Sequence, residues 1–230
     1  MITVIVCTNR QAFLPKIIEN FERQTLEEKE LIIVVNSTFI KVDGIGYSFI
    51  QIPEEVSLGA CLNQGTRLAK YDFVTKMDDD DYYGPDYLNE VYEALVLTDA
   101  DVVGKSSFYI YFKSKEELRL YNSNYENQWI VNNGPFKSSD FLSGATLAFK
   151  KKILNRVSFP DVNVGEDSGF QRLCYENGLK MYSLSKEHYV YLRYNAPAHH
   201  HSDASDALLR RRSRFIANTS TLEKYVNTKK

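Results

Sequence analysis

The sequence predicts an α/β fold in which helices cover both faces of a mostly parallel sheet. Apolar runs of strand length alternate with stretches of helical periodicity between Ile2 and Leu97. The connections between them are short, which favours parallel strands joined by crossover helices. Polar residues follow several of these strands. Since such sheets bind ligands beyond the carboxyl ends of their strands, we expect a ligand site there.

The first half of the chain is predicted to contain four strands and three helices. The strands are expected at residues 2–7, 31–35, 47–52 and 71–77. Pro15 suits the first turn of a helix whose apolar face carries Leu14, Ile17, Ile18 and Phe21. Ser57 is expected to cap the second helix, and a third helix is expected at residues 86–97.

The second half is less regular. Strands are expected at residues 101–112, 145–149 and 180–191, and helices at residues 166–177 and 203–216. Residues 121–137 are rich in Asn, Tyr and Gly and are expected to form a loop or flap. We expect one domain over residues 1–218, followed by a loose tail at residues 219–230.

Composition excludes some classes of protein. The net charge of −2 argues against a dedicated nucleic-acid binder. Cys7, Cys61 and Cys174 form no CxxC pair, so we expect buried free thiols and a cytoplasmic location. No apolar stretch approaches the ~20 residues of a membrane span, and the N-terminus lacks the pattern of a signal peptide.

Four adjacent aspartates, Asp78 to Asp81, directly follow the fourth predicted strand. Adjacent carboxylates repel each other by roughly 1 kcal/mol per pair at ~4 Å even in water, so a cation is expected beside them. Mg²⁺ and Mn²⁺ take oxygen ligands and commonly share them with substrate phosphates. An extended backbone would point Asp78 and Asp80 the same way. The alternative is a solvated acidic turn, or a cap for the helix that follows.

Five segments, in order and spacing, carry a family resemblance. Residues 58–88, LGACLNQGTRLAKYDFVTKMDDDDYYGPDYL, resemble a helix containing Asn and Gly, a strand and a DxD motif followed by proline. ITVIVCTNR, LIIVVNST, FLSGATLAFKK and GEDSGFQR match further motifs of the same family. Over roughly residues 1–200 the chain thus resembles the family-2 glycosyltransferases, which have the GT-A fold, a Rossmann-like nucleotide-binding fold. The resemblance divides the domain into a nucleotide-binding half at about residues 1–105 and an acceptor-binding half at about residues 106–218.

The resemblance implies a donor site in the first half. It places a nucleotide-sugar against Thr8, Asn9, Arg10, Asn36, Asn63, Arg67, Asp78 and Asp79. Asn36 stands where the family usually has an aspartate that reads the uracil edge, so a UDP-sugar is expected while the base stays open. Asp78 and Asp80 would form the DxD pair, with Asp80 as the direct ligand of Mn²⁺ or Mg²⁺. Asp79 would lie near the ribose or sugar.

The resemblance also implies roles for Glu166, Asp167 and His201. Asp167 would be the general base and Glu166 a supporting or acceptor-contacting group, although acidic residues at this point also cap helices. A single base opposite the leaving group implies inversion. Three consecutive histidines end at His201, which is preferred as a further metal ligand, with a solvated loop as the alternative.

A basic stripe from Arg210 to Arg214 is the last feature singled out. It is interpreted either as a solvated helix face or as a peripheral contact with anionic lipid or a protein partner.

The sequence therefore predicts a metal-dependent inverting glycosyltransferase that moves a sugar from a nucleotide diphosphate-sugar to a saccharide or other hydroxyl acceptor. Bacterial surface, capsule or spore-coat polysaccharide is the expected setting, and the chain could be the catalytic part of a longer protein. A nucleotidyltransferase acting on sugar phosphates is one alternative, but residues 7–16 contain no glycine for a phosphate loop. A non-catalytic sugar-binding module is the other, and the intact Asp78, Asp80 and Asp167 argue against it.

Overall fold

Two sheets organise the chain. The computed structural model describes residues 1–41, 46–122, 124–194 and 205–227. The first sheet has eight strands, which lie side by side in the order β3 (Ser48–Gln51), β2 (Lys29–Val35), β1 (Ile2–Thr8), β4 (Phe73–Lys76), β10 (Ala148–Lys150), β6 (Val102–Gly104), β11 (Met181–Ser183) and β9 (Gln128–Ile130). Strands β3, β2, β1 and β4 are mutually parallel, β11 is parallel to β6, and β10 and β9 are antiparallel to their neighbours.

Helices cover both faces of this sheet, as predicted. On β1, Val4 and Val6 pack into one apolar cluster, whereas Ile5 packs into another on the opposite face. A strand that is buried on both faces has a continuous run of apolar residues, which is why residues 2–7 could be predicted as a strand. The helices α1 (Leu14–Glu22) and α3 (Tyr87–Leu97) contribute to the first cluster, and α2 (Leu58–Leu68) and α4 (Glu166–Glu176) to the second.

The second sheet is smaller and stands beside the first. Its five strands lie in the order β13 (Ser213–Asn218), β8 (Glu117–Tyr121), β7 (Phe108–Phe112), β12 (Tyr189–Arg193) and β5 (Tyr82–Tyr83). Strand β5 comes directly after the four aspartates and pairs with β12. The end of β4 is therefore tied to the second sheet within a few residues, and the aspartates lie at the junction of the two sheets.

The structure corrects three expectations about the second half. The helix expected at residues 203–216 is confined, among the described residues, to α5 (Asp206–Arg211), and β13 follows it at once. The segment expected as a loop at residues 121–137 contains β9, an edge strand paired with β11. The expected loose tail contains the short helix α6 (Glu223–Val226), and the Val226 side chain is fully buried against the second sheet.

The sequence also predicted features of the cysteines and of the helices. All three cysteines are free thiols; Cys61 and Cys174 are buried, as expected, whereas Cys7 is only partly buried. None of the helices in the described ranges has both the length and the apolar character needed to cross a bilayer.

Candidate active site

A cleft opens at the carboxyl ends of the parallel strands. Because β1 lies between β2 and β4, the residues that follow these three strands meet at one rim. The cleft has a volume of about 650 Å³. The predicted site residues that line it are Thr8, Asn9, Arg10, Asn36, Asp78, Asp79, Asp80, Glu166 and Asp167.

Asp79 is committed to contacts within the protein. Its carboxylate accepts hydrogen bonds from the Thr8 hydroxyl (2.5 Å) and from Nε of Arg10 (3.1 Å), and it also pairs with Nη2 of Arg10. Burial raises the pKa of Asp79, while the hydrogen bonds and charge of Arg10 oppose that rise. Asp79 therefore holds Arg10 in the cleft wall, and its expected place near the ribose or sugar stays a prediction.

Asp81 points into the junction between the sheets. Its carboxylate accepts hydrogen bonds from the Tyr189 hydroxyl (2.7 Å) and the Leu192 amide (2.9 Å), both on β12. The residue is only 1% exposed, and burial raises its pKa well above the ordinary value for an aspartate. Asp81 thus anchors the second sheet to the first.

Asp78 faces the cleft and is paired with a buried lysine. Nζ of Lys76 lies 3.0 Å from Oδ1 of Asp78 and 3.8 Å from Oε1 of Glu166. Burial acts to lower the pKa of Lys76, but the carboxylates of Asp78 and Glu166 outweigh it, and the net pKa is raised. Burial raises the pKa of Glu166, and the charge of Lys76 opposes that rise. Lys76 is therefore a fixed, largely buried positive charge in the lining of the cleft.

Asp78 and Asp80 suit a hard divalent cation. Both line the cleft, the Asp78 side chain is 38% exposed, and Oδ2 of Asp80 lies 3.1 Å from Nη2 of Arg10. Over the described ranges, no group of three or more His, Cys, Asp or Glu side chains is arranged to hold a metal. Mg²⁺ is usually held by one or two carboxylates together with substrate phosphates and water, so a pair of aspartates fits that donor set.

Asp167 stands at the start of α4. Gly165 precedes this helix with a φ of +84°, a conformation that favours glycine, and the Asp167 carboxylate accepts a hydrogen bond from the Ser168 amide (2.6 Å). An acidic side chain at this point lies at the positive end of the helix dipole. A Cβ added at Gly144 would lie only 1.7 Å from Oδ2 of Asp167, so the carboxylate needs a glycine at that position.

A second cavity adjoins the cleft. It has a volume of about 570 Å³ and lies between the second sheet and residues 138–145. Asp78, Asp167 and Tyr191 line both the cleft and this cavity. These three side chains therefore form the partition at which molecules bound on either side would meet.

The opposite part of the cleft is built by β2 and the segment after β3. Asn36 donates its side-chain amide to the Pro53 carbonyl (2.6 Å). Glu54 accepts hydrogen bonds from the Ser37 hydroxyl (2.9 Å) and the Thr38 amide (2.8 Å), and these bonds lower its pKa. Both Asn36 and Glu54 line the cleft, so hydrogen-bonding groups are available there for a polar ring.

Two predicted donor residues lie elsewhere. The Asn63 side chain donates to the Phe159 carbonyl (2.8 Å) and accepts from the Phe159 amide (3.0 Å), so it fastens α2 to that segment and does not line the cleft. Arg67 is exposed near the end of α2 and is also absent from the cleft lining. His201, the predicted third metal ligand, lies outside the described residues.

The predicted arginine stripe is not one helix face. Arg210 pairs with Glu117 and lies 4.0 Å from the ring centroid of Phe112, whereas Arg212 lines the second cavity. The helix ends at Arg211, and Arg214 belongs to β13. A continuous basic surface on one helix was therefore a wrong expectation.

Sequence reasoning missed Lys76 and Tyr191. A lysine in the apolar run before four aspartates was the available signal for Lys76, because a charged residue on a buried strand needs a partner. No local pattern marked Tyr191, since its position depends on the pairing of β12 with β7 and β5.

Comparisons with known proteins show the family and the fold of this chain. The model for the family described as glycosyl transferase family 2 matches residues 3–158. A curated relative, the glycosyltransferase GlyA of Streptococcus pneumoniae serotype 4, is 24% identical over 215 residues, covering 83% of this chain and 30% of that protein. The chain thus spans less than a third of the length of this relative.

Solved structures share the fold. TarS of S. aureus, residues 1–349, in complex with UDP-GlcNAc has a TM-score of 0.61 and 17% identity, covering 85% of this chain and 59% of that one. The mannosyltransferase PcManGT of Pyrobaculum calidifontis, in complex with GDP-Man and Mn²⁺, has a TM-score of 0.58 and 16% identity, covering 86% of this chain and 58% of that one. This likeness confirms the predicted GT-A fold.

Proposed function

The chain belongs to glycosyl transferase family 2, and we propose that it transfers a sugar, with inversion, from a nucleoside diphosphate-sugar to a saccharide or other hydroxyl acceptor. The observation that carries the proposal is the partition formed by Asp78, Asp167 and Tyr191 between two cavities. A donor in the cleft and an acceptor in the second cavity would meet at this partition, with Asp78 beside the donor and Asp167 beside the acceptor. The nucleotide-binding half then corresponds to about residues 1–105 and the acceptor-binding half to about residues 106–218.

Donor binding is assigned to the cleft. Asn36 and Glu54 offer hydrogen bonds to the base or ribose at one end, and Arg10 offers positive charge to the diphosphate. Asp78 and Asp80 would hold Mn²⁺ or Mg²⁺, which as a Lewis acid neutralises the charge of the leaving diphosphate. A UDP-sugar is the expected donor. The structural neighbours bound to UDP-GlcNAc and to GDP-Man make both nucleotides worth testing.

Asp167 is assigned as the general base. Its carboxylate is held at a helix N-terminus and lines the second cavity, from which an acceptor hydroxyl would approach. Removing a proton from that hydroxyl strengthens its attack on the anomeric carbon. Attack from the side opposite the diphosphate inverts the anomeric configuration. Glu166 is 5% exposed and close to Lys76, so it supports the site by fixing that lysine.

Two further proposals concern the location of the protein and its binding partners. The three free thiols support a reducing, cytoplasmic location. The partners proposed are the donor and a hydroxyl acceptor, without nucleic acid.

Donor hydrolysis is the direct test. Purified protein is incubated with UDP-GlcNAc, UDP-Glc or GDP-Man, with Mn²⁺ or with EDTA, and release of the nucleoside diphosphate is measured. We expect release with at least one donor, dependent on the metal. Asp167→Asn should reduce it by at least about 100-fold, the usual range for losing an acid–base group. Asp78→Asn should also reduce it, because it removes a proposed ligand of the metal. Glu93→Gln, an exposed carboxylate on α3, is the matched control and should behave as wild type.

Three outcomes would contradict the proposal. Release of pyrophosphate would indicate nucleotidyl transfer. Full turnover by Asp167→Asn would remove the proposed base, and NMR detection of a product with retained anomeric configuration would refute direct displacement.

A further inference from the structure

The walls of the second cavity have the character of a sugar site. Six aromatic side chains line it, namely Phe108, Tyr121, Tyr125, Phe141, Tyr189 and Tyr191. Phe108 and Tyr121 stack with their ring centroids 4.9 Å apart and 28° between the ring planes. Ser138, Ser139 and Asn122 add hydroxyl and amide groups. Apolar ring faces beside scattered polar groups suit a saccharide, whose C–H faces are apolar and whose rim carries hydroxyls.

One buried hydroxyl in this wall has no partner within the described part of the chain. Oγ of Ser106 is among the buried polar atoms that make no hydrogen bond there, and the residue is only 2% exposed. Its side chain belongs to the lining of the second cavity. A buried hydroxyl without a hydrogen bond costs about 1–3 kcal/mol, so a ligand group that reached Oγ of Ser106 after a change of rotamer would recover part of that cost.

Arg212 places a positive charge in a cavity lining that also contains Asp78, Asp81 and Asp167. Its backbone carbonyl accepts from the Asn122 amide (3.1 Å), and its guanidinium donates to the Tyr121 hydroxyl at 3.4 Å. No ion pair of Arg212 with a described carboxylate is present, and it is the one Lys or Arg in the lining of this cavity among the described residues. Arg212 is therefore available to an anionic group.

The neighbouring arginines differ from Arg212. Arg119 pairs with Glu117 at 2.7 Å, Arg210 pairs with the other oxygen of Glu117, and Arg193 pairs with Asp206 at 2.6 Å. Arg119 and Arg210 share the single carboxylate of Glu117, and Arg193 has Asp206, whereas Arg212 is exposed and has no carboxylate partner among the described residues.

We propose that the acceptor is a saccharide bearing an anionic oxygen group, either a phosphate or a carboxylate, which Arg212 binds while an acceptor hydroxyl lies at Asp167. This proposal rests on the function proposed above and names the class of its acceptor. A cavity of about 570 Å³ is within the range that holds a drug-sized ligand, so it has room for a sugar ring together with the charged substituent. Asp78 and Asp167 would disfavour a second anionic group near the partition, which orients the acceptor.

The test compares acceptors that differ in one group. Methyl glycosides of glucose and galactose are supplied as the neutral sugar, the uronic acid and the 6-phosphate. Release of nucleoside diphosphate above the rate of donor hydrolysis gives kcat/KM for each. We expect at least one anionic form to exceed its neutral partner, and this preference to weaken as salt is raised. The uronic acid and the 6-phosphate separate the two sources of charge.

Substitutions test whether the preference for anionic acceptors arises in the second cavity. Arg212→Gln should lower the ratio of kcat/KM for the anionic over the neutral acceptor by about 10- to 100-fold, the worth of a hydrogen bond to a charged group. Arg212→Lys keeps the charge and should retain part of the ratio. Arg211→Gln, an exposed neighbour that does not line the cavity, should leave the ratio unchanged. Ser106→Ala should weaken neutral and anionic acceptors alike.

Failures of the two proposals are distinguishable. If no donor is hydrolysed, the proposed function fails first. If a donor is hydrolysed but neither anionic form exceeds its neutral partner, or if Arg212→Gln and Arg211→Gln change the ratio equally, the anionic acceptor is refuted while the transferase proposal stands.

Discussion

Replacing Lys76 by methionine tests the electrostatic account of the site most directly. The Lys76 side chain is 7% exposed, and its Nζ lies 3.0 Å from Asp78 and 3.8 Å from Glu166. Methionine keeps most of the apolar stem and removes the charge, so little volume is lost. The change leaves two carboxylates close together without the cation between them.

The expected loss of stability follows from burial. Removing one partner of a buried ion pair costs about 3–5 kcal/mol, because the other charge is left uncompensated. Glu166 is buried, but the Asp78 side chain is 38% exposed and can regain water. We therefore expect the low end, about 3 kcal/mol in the free energy of unfolding.

Urea unfolding at pH 7.5 with EDTA measures this loss without interference from bound metal. Lys115→Met, at an exposed lysine, is the control and should stay within about 0.5 kcal/mol of wild type. The double variant Lys76→Met/Glu166→Gln should be more stable than Lys76→Met by about 1 kcal/mol, since one uncompensated charge has been removed.

The pH dependence has a defined sign. Burial raises the folded-state pKa of Glu166, and Lys76 opposes the rise, so removing Lys76 should raise that pKa further. Between the unfolded and folded pKa values the folded carboxyl holds a proton that the unfolded one has lost. Lys76→Met should therefore gain stability, relative to wild type, as the pH falls from 7.5 toward the ordinary pKa of 4.5. A loss below about 1 kcal/mol, or one independent of pH, would refute the reasoning, because it would mean that water already screens the pair.

Three further predictions concern single groups. Gly144→Ala should displace the Asp167 carboxylate and lower kcat by about 100-fold, the cost of misplacing a catalytic group by about 1 Å, while circular dichroism shows an intact fold. Asp81→Ala should lower the free energy of unfolding by about 2 kcal/mol in urea, because the buried Tyr189 hydroxyl loses its partner; an unchanged midpoint would contradict the anchoring role. Burial raises the pKa of Cys61 from 9.0 to about 11, so at pH 8 its thiol should react with a disulfide reagent about 100-fold more slowly in the folded protein than in urea. The contribution of Cys61 to stability should fall as the pH rises from 9 to 11. Equal reaction rates in the folded and unfolded protein would show that the thiol is accessible and ionised.

Much of the first half of the fold was predictable from local sequence. The strand at β1 and the helix capped by Ser57, whose hydroxyl accepts from the Ala60 amide at 3.2 Å, follow from periodicity and capping alone. These elements need only their own residues and a face to bury. The rim of polar residues follows in turn from the parallel order of the strands.

Non-local pairing explains the parts that were not predictable. The expected helix at residues 203–216 ends at Arg211 because strand β8 offers an edge to which β13 pairs, with a shift of register between Phe215 and Ala217. Asn63 was expected at the donor because of its motif, whereas its two hydrogen bonds go to the backbone of Phe159, 96 residues away in sequence. The residues that neighbour β13 and Asn63 in sequence do not indicate that strand β8 and the Phe159 backbone are their partners.

The partition shared by the cleft and the second cavity has a consequence for enzyme kinetics. Asp78, Asp167 and Tyr191 belong to both chambers, so one substitution there changes the shape offered to each reactant. Apparent affinities for the two substrates should then shift together, and assigning such a variant to one substrate alone would be an error. Only residues lining a single chamber, such as Asn36 or Ser106, can separate the two half-sites by mutagenesis.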